Sequence, residues 1–76
     1  MRVEVYGKSW CSYCDRAKDL LASREQDYEF YDVEEDTSKY DEMMVKNPST
    51  KTVPQIFIDG EHIGGYDQLR EWYKGR

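Results

Sequence analysis

Both cysteines of the chain stand in KSWCSYCDRAKDLL (residues 8–21), with Ser12 and Tyr13 between Cys11 and Cys14. A pair at this spacing can act as a crosslink, as half of a metal site, or as a working redox couple. A crosslink would close a loop so short that little chain entropy is removed, so it would stabilise almost nothing. A zinc knuckle needs two further cysteine or histidine ligands, and the sequence offers only His62. Reversible thiol–disulfide chemistry fits the pair best, provided the surrounding elements give the two sulfurs different environments.

Those elements can be read from the pattern of side chains. RVEVY (2–6) alternates with period two, with Val3 and Val5 on one face, as a strand does. From Ser12 to about Ser23, Cys14, Ala17, Leu20 and Leu21 form one stripe at helical spacing, with Asp15, Arg16, Lys18 and Asp19 mostly opposite. DYEFYDV (27–33) predicts a second strand. DTSKYDEMMVKN (36–47) predicts a helix capped by Thr37 or Ser38, with acidic residues in its first turn. Tyr40, Met43 and Met44 make its inward side, and Pro48 stops it.

PQIFI (54–58) is a third strand, and the Asp59-Gly60 turn folds it back into a fourth, EHI (61–63). Gly64 and Gly65 break the chain before a last helix, YDQLREWYK (66–74), with Leu69, Trp72 and Tyr73 inward. Residues 1–76 thus form one α/β domain of order β-α-β-α-β-β-α. Its first β-α-β unit is a right-handed parallel crossover, and helices cover both faces of the sheet.

On this map Cys11 closes a strand-to-helix loop, where free backbone N–H groups and the helix dipole favour a thiolate. Cys14 lies one turn into the helix on its core stripe, where a thiol stays protonated. Lys8 is the nearest cationic side chain in sequence and adds to the positive field at Cys11. A thiol whose pKa falls from about 8.5 to about 5 gains roughly 30-fold in thiolate at neutral pH. With a Brønsted slope of about 0.45 it loses roughly 40-fold in intrinsic nucleophilicity. The two nearly cancel for attack, so the net gain is in leaving: Cys11 is built to be expelled readily from mixed disulfides.

The remaining sequence narrows the function classes. A net charge of −5 disfavours nucleic acid, whose phosphates require clustered Lys and Arg. The opening MRVEVYGK has no apolar signal-peptide core, and VPQIFI (53–58) is too short to cross a bilayer. A soluble cytoplasmic protein with no membrane partner is therefore expected. The acidic run DVEEDTSKYDE (32–42) reads as a solvated loop and helix face, and His62 as a solvated strand residue. Trp10 and the seven tyrosines are expected in the core or at its rim.

WCSYC before a helix, with TVPQIFIDGEHIGGYDQL some forty residues later, closely resembles the glutaredoxins over essentially the whole chain. The ending GGYDQLREWYK looks most like the phage-encoded members. The resemblance implies a thioredoxin fold, with a four-stranded mixed sheet flanked by helices. It also implies that Thr52-Val53-Pro54 is the segment whose cis proline faces the active cysteine. The backbone of Val53 would pair with the cysteinyl part of glutathione, Tyr13 would flank the tripeptide, and Lys8 and Lys51 would meet its glycine carboxylate. Gly65, Tyr66 and Asp67 would meet the γ-glutamyl end at a helix start. Two positions depart from the family pattern. Gln68 stands where many members carry an acid, which predicts weaker glutathione binding, and Ser12 stands where the commonest motif has proline.

The implied function is a glutathione-dependent thiol–disulfide oxidoreductase, monomeric, with glutathione as reductant and substrate. Cys11 attacks a disulfide or glutathionylated thiol and Cys14 resolves the product. Ribonucleotide reductase or a similar disulfide-cycling enzyme is the expected client. Two alternatives stay open: a redoxin served by thioredoxin reductase, and a dimer holding a [2Fe–2S] cluster through Cys11 and glutathione. Serine at position 12 favours the second, since proline would fix φ and remove an N–H. A non-catalytic binding module is disfavoured by the presence of both cysteines.

Overall fold

The computed structural model describes residues 1–49 and 51–76. In chain order the elements are β1 (Val3–Gly7), α1 (Ser12–Ser23), β2 (Glu29–Asp32), α2 (Thr37–Lys46), β3 (Gln55–Ile58), β4 (Glu61–Gly64) and α3 (Tyr66–Lys74). The sheet runs β2-β1-β3-β4, with β1 parallel to β2 and antiparallel to β3, and β3 antiparallel to β4. This is the mixed four-stranded sheet of the thioredoxin fold.

β1 and β3 are central, and every residue of both is buried. Their alternating side chains supply two separate cores. Val3, Val5, Ile56 and Ile58 pack with Ala17 and Leu21 of α1 and Leu69 of α3. On the opposite face Tyr6 and Phe57 pack with Val33 and Met43 of α2. Trp72 and Tyr73 are half-buried against the first core, and Tyr40 and Met44 against the second.

The second face also buries charge. Glu4 is only 7% exposed, so its carboxylate needs partners. It finds Arg2 at 3.3 Å, Lys46 at 3.4 Å and the Tyr31 hydroxyl at 3.0 Å. Lys46 also reaches the Tyr6 hydroxyl at 2.8 Å, and that hydroxyl donates to Glu42. Polar atoms at the ends of aromatic side chains thus tie α2 to the sheet.

Four details differ from the sequence pattern. The cap of α2 is Asp36, whose Oδ1 accepts the Ser38 N–H at 3.0 Å, rather than Thr37 or Ser38, and no acid occupies the first turn. The acidic run is more than a solvated face, since Asp32 likewise accepts the amides of Glu34 and Glu35 at 2.9 and 3.0 Å. β4 extends through Gly64, whose φ of +126° suits glycine alone, whereas Gly65 adopts an ordinary extended φ of −97°. Trp10 is 93% exposed instead of packed, because the turn that carries it stands away from both cores.

Candidate active site

The C-terminal end of β1 and the N-terminal end of β3 lie side by side, with Tyr6 opposite Gln55. The loop leaving β1 and the loop entering β3 therefore meet at one edge of the molecule. The first of these loops is tethered by Ser9, whose hydroxyl donates to Asp32 Oδ2 at 3.0 Å at the end of β2. That bond, with the Glu34 and Glu35 amides, holds the Asp32 carboxyl below its ordinary range, the Glu35 amide acting most strongly.

Cys11 is the N-cap of α1, with extended backbone angles. Its sulfur occupies the place usually taken by a serine, threonine or aspartate oxygen and accepts the Cys14 N–H at 3.1 Å. An N–H donor and the start of the helix thus both point at a partly exposed sulfur. Across from it lies the Val53 carbonyl oxygen, 3.9 Å from Cys11 Sγ, and the Val53–Pro54 peptide bond is cis.

Cys14 has the opposite environment. It is fully buried, and burial pushes its thiol up to about 12, with a hydrogen bond to Cys11 adding to the shift. The Lys8 backbone N–H and the Lys18 charge act the other way. Gly7 makes room for this sulfur: a Cβ there would lie 2.9 Å from Cys14 Sγ and 2.8 Å from the Phe30 ring. The two thiols therefore differ as their helix positions predict.

Lys8, Cys11, Tyr13, Lys51, Thr52 and Val53 line one open cleft of about 420 Å³, together with Trp10 and Ser12. Among the described residues, two lysines and no acid line it. Trp10 escapes a reading based on periodicity because it belongs to a loop; its position directly before Cys11 was the available signal.

The α3 end of the predicted site adjoins the cleft less simply. A Cβ on Gly65 would lie 3.5 Å from the carbonyl oxygen of Pro54, so the start of α3 abuts the cis-proline segment. Tyr66 faces Tyr13, with ring centroids 6.2 Å apart, but it also packs on the first core. Asp67 is exposed and lies 3.8 Å from Arg70. The Gln68 side chain folds back to accept the Gly65 N–H at 2.9 Å. That amide, expected to face a ligand carboxylate, is capped from within its own helix.

One polar group behind the cleft was not anticipated. Gln55, the residue after Pro54, is buried and bonds Thr52, Asn47 and His62. His62 is thus engaged as well as solvent-facing. A glutamine inside the apolar run PQIFI was the only sequence sign of it. Among the described residues no group of three or more His, Cys, Asp or Glu side chains could hold a metal ion, and no helix is long and apolar enough to cross a membrane.

Residues 3–63 match the glutaredoxin family model. The chain is similar to Glutaredoxin 3 of Escherichia coli strain K12, 46% identical over 67 residues that span 88% of this chain and 80% of the relative. It is also similar to the glutaredoxin of Enterobacteria phage T4, 40% identical over 74 residues, covering 84% and 85% of the two chains. In structure it resembles the buckwheat glutaredoxin–glutathione complex with a TM-score of 0.83 and 28% identity, over 96% of this chain and 68% of that one.

Proposed function

The chain belongs to the glutaredoxin family of thiol–disulfide oxidoreductases, and we propose that it is a glutathione-dependent member that reduces glutathione mixed disulfides and protein disulfides. One observation carries this reading. The Cys11 sulfur, capping α1, opens into a cleft whose walls supply Lys8 and Lys51, the Tyr13 ring and the Thr52–Val53 backbone. A tripeptide with a cysteinyl sulfur, a backbone able to pair with Val53 and a terminal carboxylate suits those groups. A glutathione complex is among the structural neighbours, which supports the same ligand class.

The chemistry follows from the unequal thiols. The Cys11 thiolate attacks one sulfur of the substrate disulfide, forming one S–S bond, breaking another and expelling a thiolate. That attack uses up the negative charge at Cys11, which had helped hold the proton on Cys14. Cys14 then loses its proton and attacks Cys11 Sγ, expelling the second substrate thiolate and leaving a Cys11–Cys14 disulfide. The substrate has gained two electrons and the protein has lost two. Two glutathione thiols return them by the same exchanges in reverse and leave as glutathione disulfide. For a glutathionylated substrate, a second glutathione attacks the mixed disulfide at Cys11 directly and Cys14 is idle.

In the γ-glutamyl direction the contacts would come from Gly65, Tyr66 and Asp67, with Pro54 at their back. Gln68 offers no charge to an α-amine and competes for the Gly65 N–H, so binding at that end is weaker than with a carboxylate. The client proposed is ribonucleotide reductase or another enzyme that forms a disulfide each cycle, in the cytoplasm. A [2Fe–2S] cluster shared between two copies would draw on the Cys11 thiolate of this chain, a soft ligand at an open cleft, with glutathione completing the set.

Turnover of a glutathionylated peptide with glutathione and glutathione reductase, compared with thioredoxin reductase, tests the reading. Activity only with thioredoxin reductase overturns it. A protein that stays colourless after anaerobic incubation with iron, sulfide and glutathione excludes the cluster.

A further inference from the structure

Gln55 opens β3 and is 3% exposed, a polar side chain at the head of an otherwise apolar strand. Its Nε2 donates to the Thr52 carbonyl oxygen at 2.7 Å and to Thr52 Oγ1 at 3.3 Å. A carbonyl can only accept, so the orientation of the Gln55 amide is fixed and its oxygen faces the other way. There Oε1 meets His62 Nε2 at 2.6 Å and Asn47 Nδ2 at 3.3 Å. The His62 contact is a hydrogen bond in the tautomer that carries the proton on Nε2, and the same nitrogen lies 3.2 Å from Asn47 Nδ2. One buried amide thus links the cleft loop, the cap of α2 and β4.

The grip on Thr52 has a consequence one bond further on. The peptide unit is planar, so fixing the direction of the Thr52 carbonyl fixes the opposite direction of the Val53 N–H. The Val53 carbonyl in turn faces Cys11 Sγ. Gln55 reaches neither the sulfur nor the cleft directly. It sets the backbone that stands opposite the sulfur.

We propose that Gln55 is a positioning residue for substrate binding: it orients the Thr52–Val53 peptide so that Val53 can pair with the cysteinyl backbone of a glutathionyl disulfide at Cys11. This rests on the glutathione reading above. A role in stability alone explains the pattern less well. Thr52 and His62 are exposed and Asn47 is half-buried, so these partners can turn to water when Gln55 is lost. An apolar side chain of similar length would fill the space.

The test compares wild type with Gln55→Met, Gln55→Glu and His62→Phe. Methionine keeps the volume and removes every hydrogen bond. Glutamate keeps the acceptor for His62 and Asn47 but has no donor for Thr52. Phenylalanine keeps a ring tilted against Phe57, now 5.1 Å between centroids, and removes one hydrogen-bond partner of Gln55. For a glutathionylated peptide, Gln55→Met and Gln55→Glu should each raise KM about five- to tenfold with kcat within about twofold, the pattern of lost uniform binding. Alkylation of Cys11 by iodoacetamide should stay within about twofold of wild type, while the residual dipolar coupling of the Val53 N–H, which reports the direction of that bond, departs from its wild-type value. His62→Phe should raise KM by a smaller factor.

Unchanged KM in both Gln55 variants overturns the proposal, as does a fall in kcat that tracks loss of stability. Should the Gln55 variants not fold, an unchanged KM and an unchanged Val53 N–H coupling in His62→Phe overturn it instead. Absence of glutathione turnover in wild type overturns the glutathione reading, whereas the Val53 N–H coupling, measured without any thiol, still decides whether Gln55 orients the loop.

Discussion

The backbone N–H of Cys14 lies 3.1 Å from the sulfur of Cys11 and donates to it. One residue thus donates to the sulfur of another while keeping its own sulfur buried and protonated. The usual capping oxygen of an α-helix has been replaced by the reactive atom itself. The same three-residue spacing that closes the cap sends the second side chain into the core, so a difference of burial comes from helix geometry alone.

Cys11→Ser should therefore bring both reactions to background, while Cys14→Ser should separate them. With Cys14→Ser, exchange between glutathione and a glutathionylated peptide should stay within about threefold of wild type, and reduction of an intramolecular protein disulfide should fall tenfold or more. Parallel assays of the two substrates check this. Equal loss in both would show that Cys14 is needed for more than resolution.

The buried thiol also makes stability fall on the alkaline side. In the unfolded chain Cys14 ionises near its ordinary value of 9.0, and in the folded chain only near 12. Below about 9 its contribution is complete, and it is lost as pH rises from there towards 12. Burial shifts the Tyr31 hydroxyl upward too, to about 12, so some alkaline slope remains whatever stands at position 14. Urea unfolding of the reduced protein across pH 8 to 10.5 should show a shallower decline for Cys14→Ala than for wild type.

Trp10, 93% exposed, contributes no core packing. Trp10→Ala should change the free energy of unfolding by no more than about 0.5 kcal/mol. In Trp72→Phe, where Trp10 is the remaining indole, the emission should sit at the wavelength of a water-exposed indole before and after unfolding. A blue-shifted native spectrum would mean that the ring is covered.

Ser12 is the first residue of α1 and is exposed. Proline is well tolerated at this first helical position, where the N–H has no intrahelical partner. Ser12→Pro should fold normally and gain up to about 1 kcal/mol through the stiffer unfolded chain. Its oxidoreductase turnover should stay within about threefold. Chemical denaturation and the coupled glutathione assay check both statements.

Much of this was legible in the residues because the signals were local. Period two in RVEVY, the stripe through Cys14, Ala17 and Leu21, and the Asp59-Gly60 turn each need only neighbouring side chains. Asp59 and Gly60 do take the left-handed angles of a tight hairpin, with φ of +51° and +84°. The unequal burial of the cysteines followed from a helix start and one turn. What could not be read depends on partners distant in sequence. Glu4 is buried only because Arg2, Tyr31 and Lys46, remote or local, all meet its carboxylate. Gln68 carries no sign that it will take the Gly65 amide, and Gln55 gives no hint that it grips Thr52. Asp36 won the cap of α2 over Thr37 and Ser38 by a shift of one or two positions, which composition does not resolve.

The complete burial of Cys14 gives the protein a built-in clock for its own breathing. In a Cys11→Ser background a thiol reagent can reach this sulfur only when α1 lifts from the sheet. The labelling rate in excess reagent then counts those openings, and the rate at low reagent measures how often the open form is populated. A side chain native to the fold thereby reports how tightly the helix that carries both cysteines is held to the sheet.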